Sequence, residues 1–221
     1  MAKSAGPLVK LIALGASLSA RHQLRQFQRT WPHCRQIQND LLLSIIRANA
    51  ASQFGQKHNF QRITNYAEYI DALPLLNYAY LEPYINRCRE GDPSALFGPE
   101  QRILMFALTS GTTAAAKYIP VTQDFANGYR RGWNIWGYKA LDDHPDGYLR
   151  SILQVTSPMD QEFTPGGLPA GAISGLLAQQ QKSIVHKFYV TNPRMAYIED
   201  SLSRYSVSYT HLRAHETKAN L

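Results

Sequence analysis

The sequence lacks several features that would assign it to a class at once. Its apolar stretch near the N-terminus is interrupted by Lys10, so it falls far short of the roughly twenty residues that a membrane-spanning helix needs. Its two cysteines, Cys34 and Cys88, lie far apart and outside any CxxC or Cys/His spacing. We therefore expect no stable membrane insertion, no disulfide framework, no metal site, and a reducing, cytoplasmic setting.

Acidic residues are absent from the first 35 residues, which carry six Lys or Arg. This segment accounts for most of the formal net charge of +7, because residues 36–205 hold 15 basic and 15 acidic residues. A nucleic-acid partner would need a basic face on the folded body, so we expect no nucleic-acid binding. Apolar residues at helical spacing predict a basic amphipathic helix in residues 1–35, with export of the chain as the alternative.

Hydrophobic periodicity predicts helices in the first half of the body. One helix is expected over residues 36–53, followed by a loop over residues 54–60. A short helix then opens with Thr64 or Asn65 as its cap and ends before Pro74, because the residue before a proline disfavours helical geometry. Another short helix runs up to Gly91.

Strands are predicted only after this helical region. The unbroken apolar run from Ile103 to Leu108 is typical of a strand buried on both faces, and "YIPVT" follows as a brief extended piece. Thr122 is expected to cap a long helix, residues 148–157 resemble a second buried strand, and Ile173 opens another helix. The fold class is therefore α/β, with a helical N-terminal region followed by the first strands of an unfinished mixed sheet.

The stretch "LTSGTTAAAKYIPVT" carries the clearest chemistry. Gly111 lets the backbone approach a ligand closely, and Ser110, Thr112 and Thr113 add hydroxyl donors beside the ammonium group of Lys117. Backbone and hydroxyl donors that converge after a strand suit an anionic phosphate. From composition alone, an ordinary strand-to-helix turn explains the stretch equally well.

The stretch is not a Walker A loop. Counted from Gly111, Ala116 stands in the place of the second glycine, and Tyr118 follows the lysine where Ser or Thr is required. A kinase or GTPase is accordingly disfavoured.

The stretch resembles the signature phosphate loop of adenylate-forming enzymes, T-S-G-T-[TS]-x-x-x-K. With "YIPVT" after the lysine it is similar in particular to the auxin-responsive Gretchen Hagen family of acyl-acid amido synthetases. Residues 48–100 match that family's approach to the loop, and "FTPGGLPAGAISGLL" resembles its SGG[IL]P segment. The resemblance covers about residues 20–205.

The resemblance implies a two-step ligase reaction. A carboxylate attacks the α-phosphate of ATP to give an acyl-adenylate and pyrophosphate, and the amine of an amino acid then attacks the acyl carbon. ATP with Mg²⁺ and small-molecule acid and amino acid substrates are therefore expected. The loop residues that bind the nucleotide would be Ser110, Gly111, Thr112, Thr113 and Lys117, of which Lys117 would also be catalytic.

The second segment is implied to form a wall of the acyl pocket through Gly166, Gly167, Leu168 and Pro169, with a plain Gly/Pro turn as the alternative. Two positions depart from the family pattern. Ala114 stands where many relatives have glycine, and Gly171 stands where plant relatives commonly have an arginine that could meet the substrate carboxylate. The acyl preference therefore does not transfer.

The family pattern stops after residue 205. Residues 206–221 resemble the "SYTHLRAHET" endings found on unrelated proteins, so we expect a non-native tail, with residues 36–205 forming a partial N-terminal adenylation domain. We also expect this chain alone not to complete catalysis, because the family's later nucleotide motifs are absent. Two alternatives stay open: a non-catalytic nucleotide-binding module, and an interaction protein that acts through its basic N-terminal helix.

Overall fold

A computed structural model describes residues 7–109, 116–144 and 152–181, together with residues 189–190, 193–198, 200, 202–203, 205–207 and 209–210. The chain divides into two compact units. The sheet unit comprises Thr30–Gly128 and Met159–Gly171, and the helical unit comprises Met1–Arg29, Tyr129–Pro158 and Ala172–Leu221. The domain boundaries expected at residues 35 and 205 stay predictions.

The sheet unit begins with four helices, and side-chain caps fix the N-terminal ends of the last three. The four helices are α2 (Cys34–Ala48), α3 (Gln53–Lys57), α4 (Tyr66–Ala72) and α5 (Tyr78–Arg89). Asn65 accepts a hydrogen bond from the N–H of Glu68 at 3.0 Å, which confirms the predicted cap and start of α4. Asn77 caps α5 in the same way, accepting from the N–H of Tyr80 at 3.1 Å.

The predicted loop over residues 54–60 is wrong, because α3 occupies part of it. Ser52 starts this helix by accepting a hydrogen bond from the N–H of Gly55 at 2.9 Å. The helix expected over residues 36–53 ends earlier, at Ala48. Gly55 is required for close approach, since a Cβ there would lie 2.2 Å from the carbonyl oxygen of Asn49.

A mixed four-stranded sheet follows the helices. Its strands are β1 (Ile103–Leu108), β2 (Tyr118–Thr122), β3 (Glu162–Phe163) and β4 (Pro169–Gly171), in the order β2-β1-β4-β3. β1 pairs antiparallel with β2 and parallel with β4, and β3 pairs antiparallel with β4. These findings confirm the predicted interior strand and the predicted mixed sheet.

The core of the sheet unit lies between α5 and one face of the sheet. Phe106 of β1 and Ala170 of β4 are fully buried and contact Ile85 and Cys88 of α5. A neighbouring apolar cluster joins α2, α3 and the turn Phe60–Arg62. This packing fixes α5 against the sheet, so residues at both ends of the helix can reach β2 and β4.

The helical unit contains α1 (Pro7–Arg29), α7 (Ile173–Gln179) and the end of α6 (Gln123–Asp143). The predicted helix within residues 1–35 and the Thr122 cap are confirmed, since Thr122 Oγ1 accepts from the N–H of Phe125 at 3.2 Å. Within this unit α1 contacts α6, because Arg21 Nε lies 2.7 Å from Asp142 Oδ1. None of the helices in the described part of the chain has the length and apolarity to cross a membrane.

The second buried strand predicted over residues 148–157 is wrong for the described residues 152–157. They contain an isolated bridge from Ile152 to Tyr189 but no named strand. Ile152, Leu153 and Val155 are between 39% and 44% exposed. An apolar run predicts burial on both faces only where a sheet covers it, and within the described part of the chain no named strand pairs with this run.

Candidate functional site

The predicted phosphate loop lies at the carboxyl end of β1. Ser110, Gly111, Thr112 and Thr113 lie outside the described residues, but both flanks of the loop are described. The N–H of Thr109 donates to the carbonyl of Lys117 at 3.1 Å, and the N–H of Lys117 donates to Thr109 Oγ1 at 3.1 Å. The loop therefore joins two antiparallel strands, β1 and β2. The alternative, an ordinary strand-to-helix turn, would have joined a strand to a helix.

Lys117 stands at the end of this loop with an exposed side chain. Its Nζ lies 5.3 Å from the centroid of the Tyr78 ring, a distance at which a cation is attracted to an aromatic face. Lys117 makes no ion pair with any residue that the structure describes.

The hydroxyl of Tyr78 contacts the same flank of the loop. The backbone N–H of Tyr118, the first residue of β2, donates to Tyr78 Oη at 3.1 Å. Tyr78 is itself the first residue of α5 and is partly buried against the core. Nothing in the sequence singled out Tyr78, because the contact joins residues that lie 40 positions apart.

The second predicted segment occupies the β3–β4 connection and β4. Pro169 begins β4, whereas Gly166, Gly167 and Leu168 form the turn before it. Since β4 runs parallel to β1, with Ala170 beside Phe106, this turn lies at the amino ends of both strands. The carboxyl end of β4, at Gly171, therefore lies at the same end of the sheet as the carboxyl end of β1, where the loop begins.

Gly166 and Gly91 allow the turn to lie close against the end of α5. The N–H of Gly166 donates to the carbonyl of Arg89 at 2.7 Å, and a Cβ on Gly166 would lie 2.7 Å from the nitrogen of Gly91. Gly91 has φ +100° and Gly167 has φ +81°, conformations that glycine adopts readily. The alternative of a Gly/Pro turn thus describes the backbone role of Gly166 and Gly167.

Arg89 and Tyr118 form a second feature that sequence reasoning missed. The guanidinium carbon of Arg89 lies 3.6 Å from the centroid of the Tyr118 ring, and Arg89 Nε is buried without a hydrogen-bond partner in the described structure. The Tyr118 hydroxyl donates to the Glu162 carboxylate. This hydrogen bond and, to a smaller extent, burial raise the pKa of Tyr118, so the phenol keeps its proton to a higher pH than an ordinary tyrosine does.

The described residues contain no group of three His, Cys, Asp or Glu side chains that could hold a metal ion. The described part of the site instead offers an exposed ammonium group, tyrosine rings and backbone at the end of a strand. Such a set suits an anion, and a divalent ion here would be held mainly by the oxygens of that anion.

Comparison with known proteins identifies the family. The model described as "GH3 family N-terminal domain" matches residues 23–214, which includes the first nine residues of the segment expected to be a tail. A jasmonoyl–L-amino acid synthetase of Oryza sativa subsp. japonica is 26% identical over 74% of this chain and 28% of its own length. An indole-3-acetic acid-amido synthetase of Arabidopsis thaliana is 24% identical over 68% of this chain and 24% of its own length.

Solved structures show the same fold. The GH3.15 acyl acid amido synthetase aligns with a TM-score of 0.71 at 15% identity, over 85% of this chain and 33% of that one. A second structure, AtGH3.15 in complex with 2,4-DB, aligns with a TM-score of 0.64 at 18% identity. The chain thus spans about a quarter to a third of the length of these relatives. The predicted fold class and the predicted family are confirmed, and the chain belongs to the GH3 family through its N-terminal domain.

Proposed function

We propose that this chain supplies the phosphate-binding part of an ATP-dependent ligase that adenylates a carboxylic acid and transfers the acyl group to an amine. The observation that carries the proposal is the position of Lys117. Its exposed ammonium group lies at the end of the hydroxyl-rich loop that connects the interior strand β1 to the neighbouring strand β2. Hydrogen bonds between Thr109 and Lys117 close this loop. Family membership supports the ligase class.

ATP is a substrate of the proposed reaction. The carboxylate oxygen bonds to the α-phosphorus as pyrophosphate leaves, and the amine nitrogen then bonds to the acyl carbon as AMP leaves. Negative charge shifts toward the leaving phosphates in the first step, so donors fixed around them lower its barrier. We assign this task to the hydroxyls of Ser110, Thr112 and Thr113, the backbone at Gly111 and the ammonium of Lys117.

Magnesium enters the proposal as the counterion of the nucleotide. Mg²⁺ usually keeps several waters and is held by phosphate oxygens with one or two carboxylates. The absence of a metal-binding cluster from the described residues is compatible with that arrangement. The ion would neutralise phosphate charge beside Lys117.

The proposed substrates are a small carboxylic acid and an amino acid. The names of the relatives include indole-3-acetic acid and jasmonoyl–L-amino acid, which support these two classes. We keep Gly166, Gly167, Leu168 and Pro169 as a proposed wall of the acyl site, which leads into Ala170 and Gly171, the β4 residues that pair with β1. The 221 residues are proposed to bind nucleotide without turnover, because they span only 28% of the rice relative.

We also propose a cytoplasmic setting. Both cysteines are free thiols, with Cys34 exposed and Cys88 buried, as is usual for proteins of a reducing compartment.

Acid-dependent exchange of labelled pyrophosphate into ATP tests the function. The assay would use a fusion of residues 1–205 to the rest of a GH3 enzyme, with a panel of carboxylic acids. Lys117→Ala is expected to lower the exchange rate at least about tenfold, since a charge-assisted contact to phosphate is lost. Lys57→Ala is the matched control, because Lys57 is also exposed and also lies over a tyrosine ring, at 5.0 Å from Tyr80. Equal pyrophosphate exchange rates in Lys117→Ala and Lys57→Ala would contradict the role of Lys117.

A further inference from the structure

We infer that Tyr78 is a positioning residue that holds the carboxyl-terminal flank of the phosphate loop and aims Lys117. The inference rests on the proposed function, since it concerns how the same loop is made ready for phosphate. Tyr78 contacts two consecutive residues at this flank, through its hydroxyl and through its ring.

The hydroxyl fixes the backbone where the loop rejoins the sheet. The N–H of Tyr118 donates to Tyr78 Oη at 3.1 Å, and the carbonyl of Tyr118 lies 3.5 Å from the same oxygen. Because β2 stands at the edge of the described sheet, its outward-facing backbone groups pair with no strand among the described residues. The phenol of Tyr78 takes the place of such a strand at one residue, Tyr118.

The ring constrains the side chain of Lys117. A lysine on the surface loses much rotamer entropy when it is fixed on a ligand, which weakens binding. With Lys117 Nζ 5.3 Å from the ring centroid, the tyrosine face favours one region of space for the ammonium group before a phosphate arrives. The side chain of Lys117 has therefore lost part of its rotamer entropy in the free protein, before ATP binds.

Tyr78 can act in this way because α5 holds it firmly. It follows the cap residue Asn77 directly, and it packs against the buried cluster that includes Ile85 and Phe106. The contact thus connects the rigid helical layer to the end of a surface loop. A tyrosine supplies both a ring and an acceptor at this position, whereas phenylalanine supplies only the ring.

The test compares Tyr78→Phe, which removes only the hydroxyl, with Tyr78→Leu, which removes the ring together with its hydroxyl. NMR would record the shift of the Lys117 ε-methylene protons and the exchange rate of the Tyr118 amide, and titration with ATP would give the affinity. We expect faster amide exchange in both variants and loss of the ring-current shift in Tyr78→Leu alone. ATP affinity should fall about twofold for Tyr78→Phe and about fivefold for Tyr78→Leu.

Tyr84→Leu is the matched control, because it removes another α5 ring that lies 5.6 Å from Lys57 Nζ and leaves the Lys117 contact intact. The inference is overturned if Tyr78→Leu keeps the wild-type shift of Lys117. It is also overturned if Tyr78→Leu keeps full ATP affinity while Lys117→Ala loses it. Should Tyr78→Leu fail to fold, an unchanged Tyr118 amide exchange rate in Tyr78→Phe would refute it. If Lys117→Ala itself leaves ATP affinity unchanged, the proposed function fails, and the NMR comparison still decides the positioning role.

Discussion

The hydroxyl of Tyr118 donates a hydrogen bond to the carboxylate of Glu162, although the two residues lie on opposite edge strands of the sheet. β1 and β4 lie between these two strands, so the contact crosses the sheet. It does so near the carboxyl end of β1, where that strand leads into the loop. Arg89 stacks on the same tyrosine ring from the end of α5. Tyr118 therefore connects the flank of the phosphate loop to β3, next to the segment proposed for the acyl group.

Tyr118→Phe should lower stability in a pH-dependent manner. The Glu162 bond raises the pKa of Tyr118 above its ordinary value of 10.0 in the folded protein. A raised pKa gives stability that is fully present below the unfolded pKa and is lost as pH rises through the folded one. Thermal melts of the wild type and the variant should therefore differ at pH 8 and converge above pH 10. A difference that grows with pH would contradict the bond, and Tyr66→Phe, at an exposed ring, is the control.

Gly166→Ala should destabilise the sheet unit. The new Cβ would lie 2.7 Å from the nitrogen of Gly91 and 2.8 Å from the carbonyl oxygen of Arg89. Both are backbone atoms, so a change of side-chain rotamer cannot relieve the clash. The expected cost is about 1–3 kcal/mol in the free energy of unfolding, measured with urea. Gly132→Ala in α6 is the control, because nothing lies within 4 Å of its Cβ. That change should stabilise the protein by about 0.5–1 kcal/mol, and equal effects at the two glycines would show that the turn does not need Gly166.

The two cysteines should react at very different rates. Burial raises the pKa of Cys88 to about 11, whereas Cys34 is exposed. Since the thiolate is the reactive form, Cys88 should hold on the order of a hundredfold less thiolate at pH 8 than an ordinary thiol. Iodoacetamide followed by mass spectrometry should find Cys34 modified and Cys88 spared, with both modified in guanidinium. Equal modification in the native protein would mean that Cys88 of α5 is not buried against the sheet.

The sequence predicted those elements whose signals are local. Asn65 and Thr122 stand directly before the helices they cap, and β1 is an unbroken apolar run, so each could be identified without knowing its neighbours. β3 and β4 were missed because they are two and three residues long. β4 lies in a Gly/Pro-rich segment and is a strand only because β1 and β3 pair with it.

The candidate site was predicted in the same uneven way. The composition of the stretch fitted a phosphate loop and an ordinary turn equally well, and the resemblance to adenylate-forming enzymes decided for Lys117 and the loop residues, whose role stays a prediction. Tyr78, Arg89 and Glu162 carried no such signal, since each meets Tyr118 from a distant part of the chain. The strand expected over residues 148–157 failed for a related reason, as an apolar run alone does not show what covers it.

Equilibrium binding of ATP to the 221-residue chain, at low and high salt, tests the central claim most directly. We expect measurable binding that weakens about tenfold in Lys117→Ala and in a Thr112→Val, Thr113→Val double variant, because donors to the phosphates are lost. Lys57→Ala, which removes an equal charge beside Tyr80 and Tyr84, should bind like the wild type. If Lys117→Ala binds ATP as tightly as Lys57→Ala, the loop does not hold the phosphates and the account is wrong.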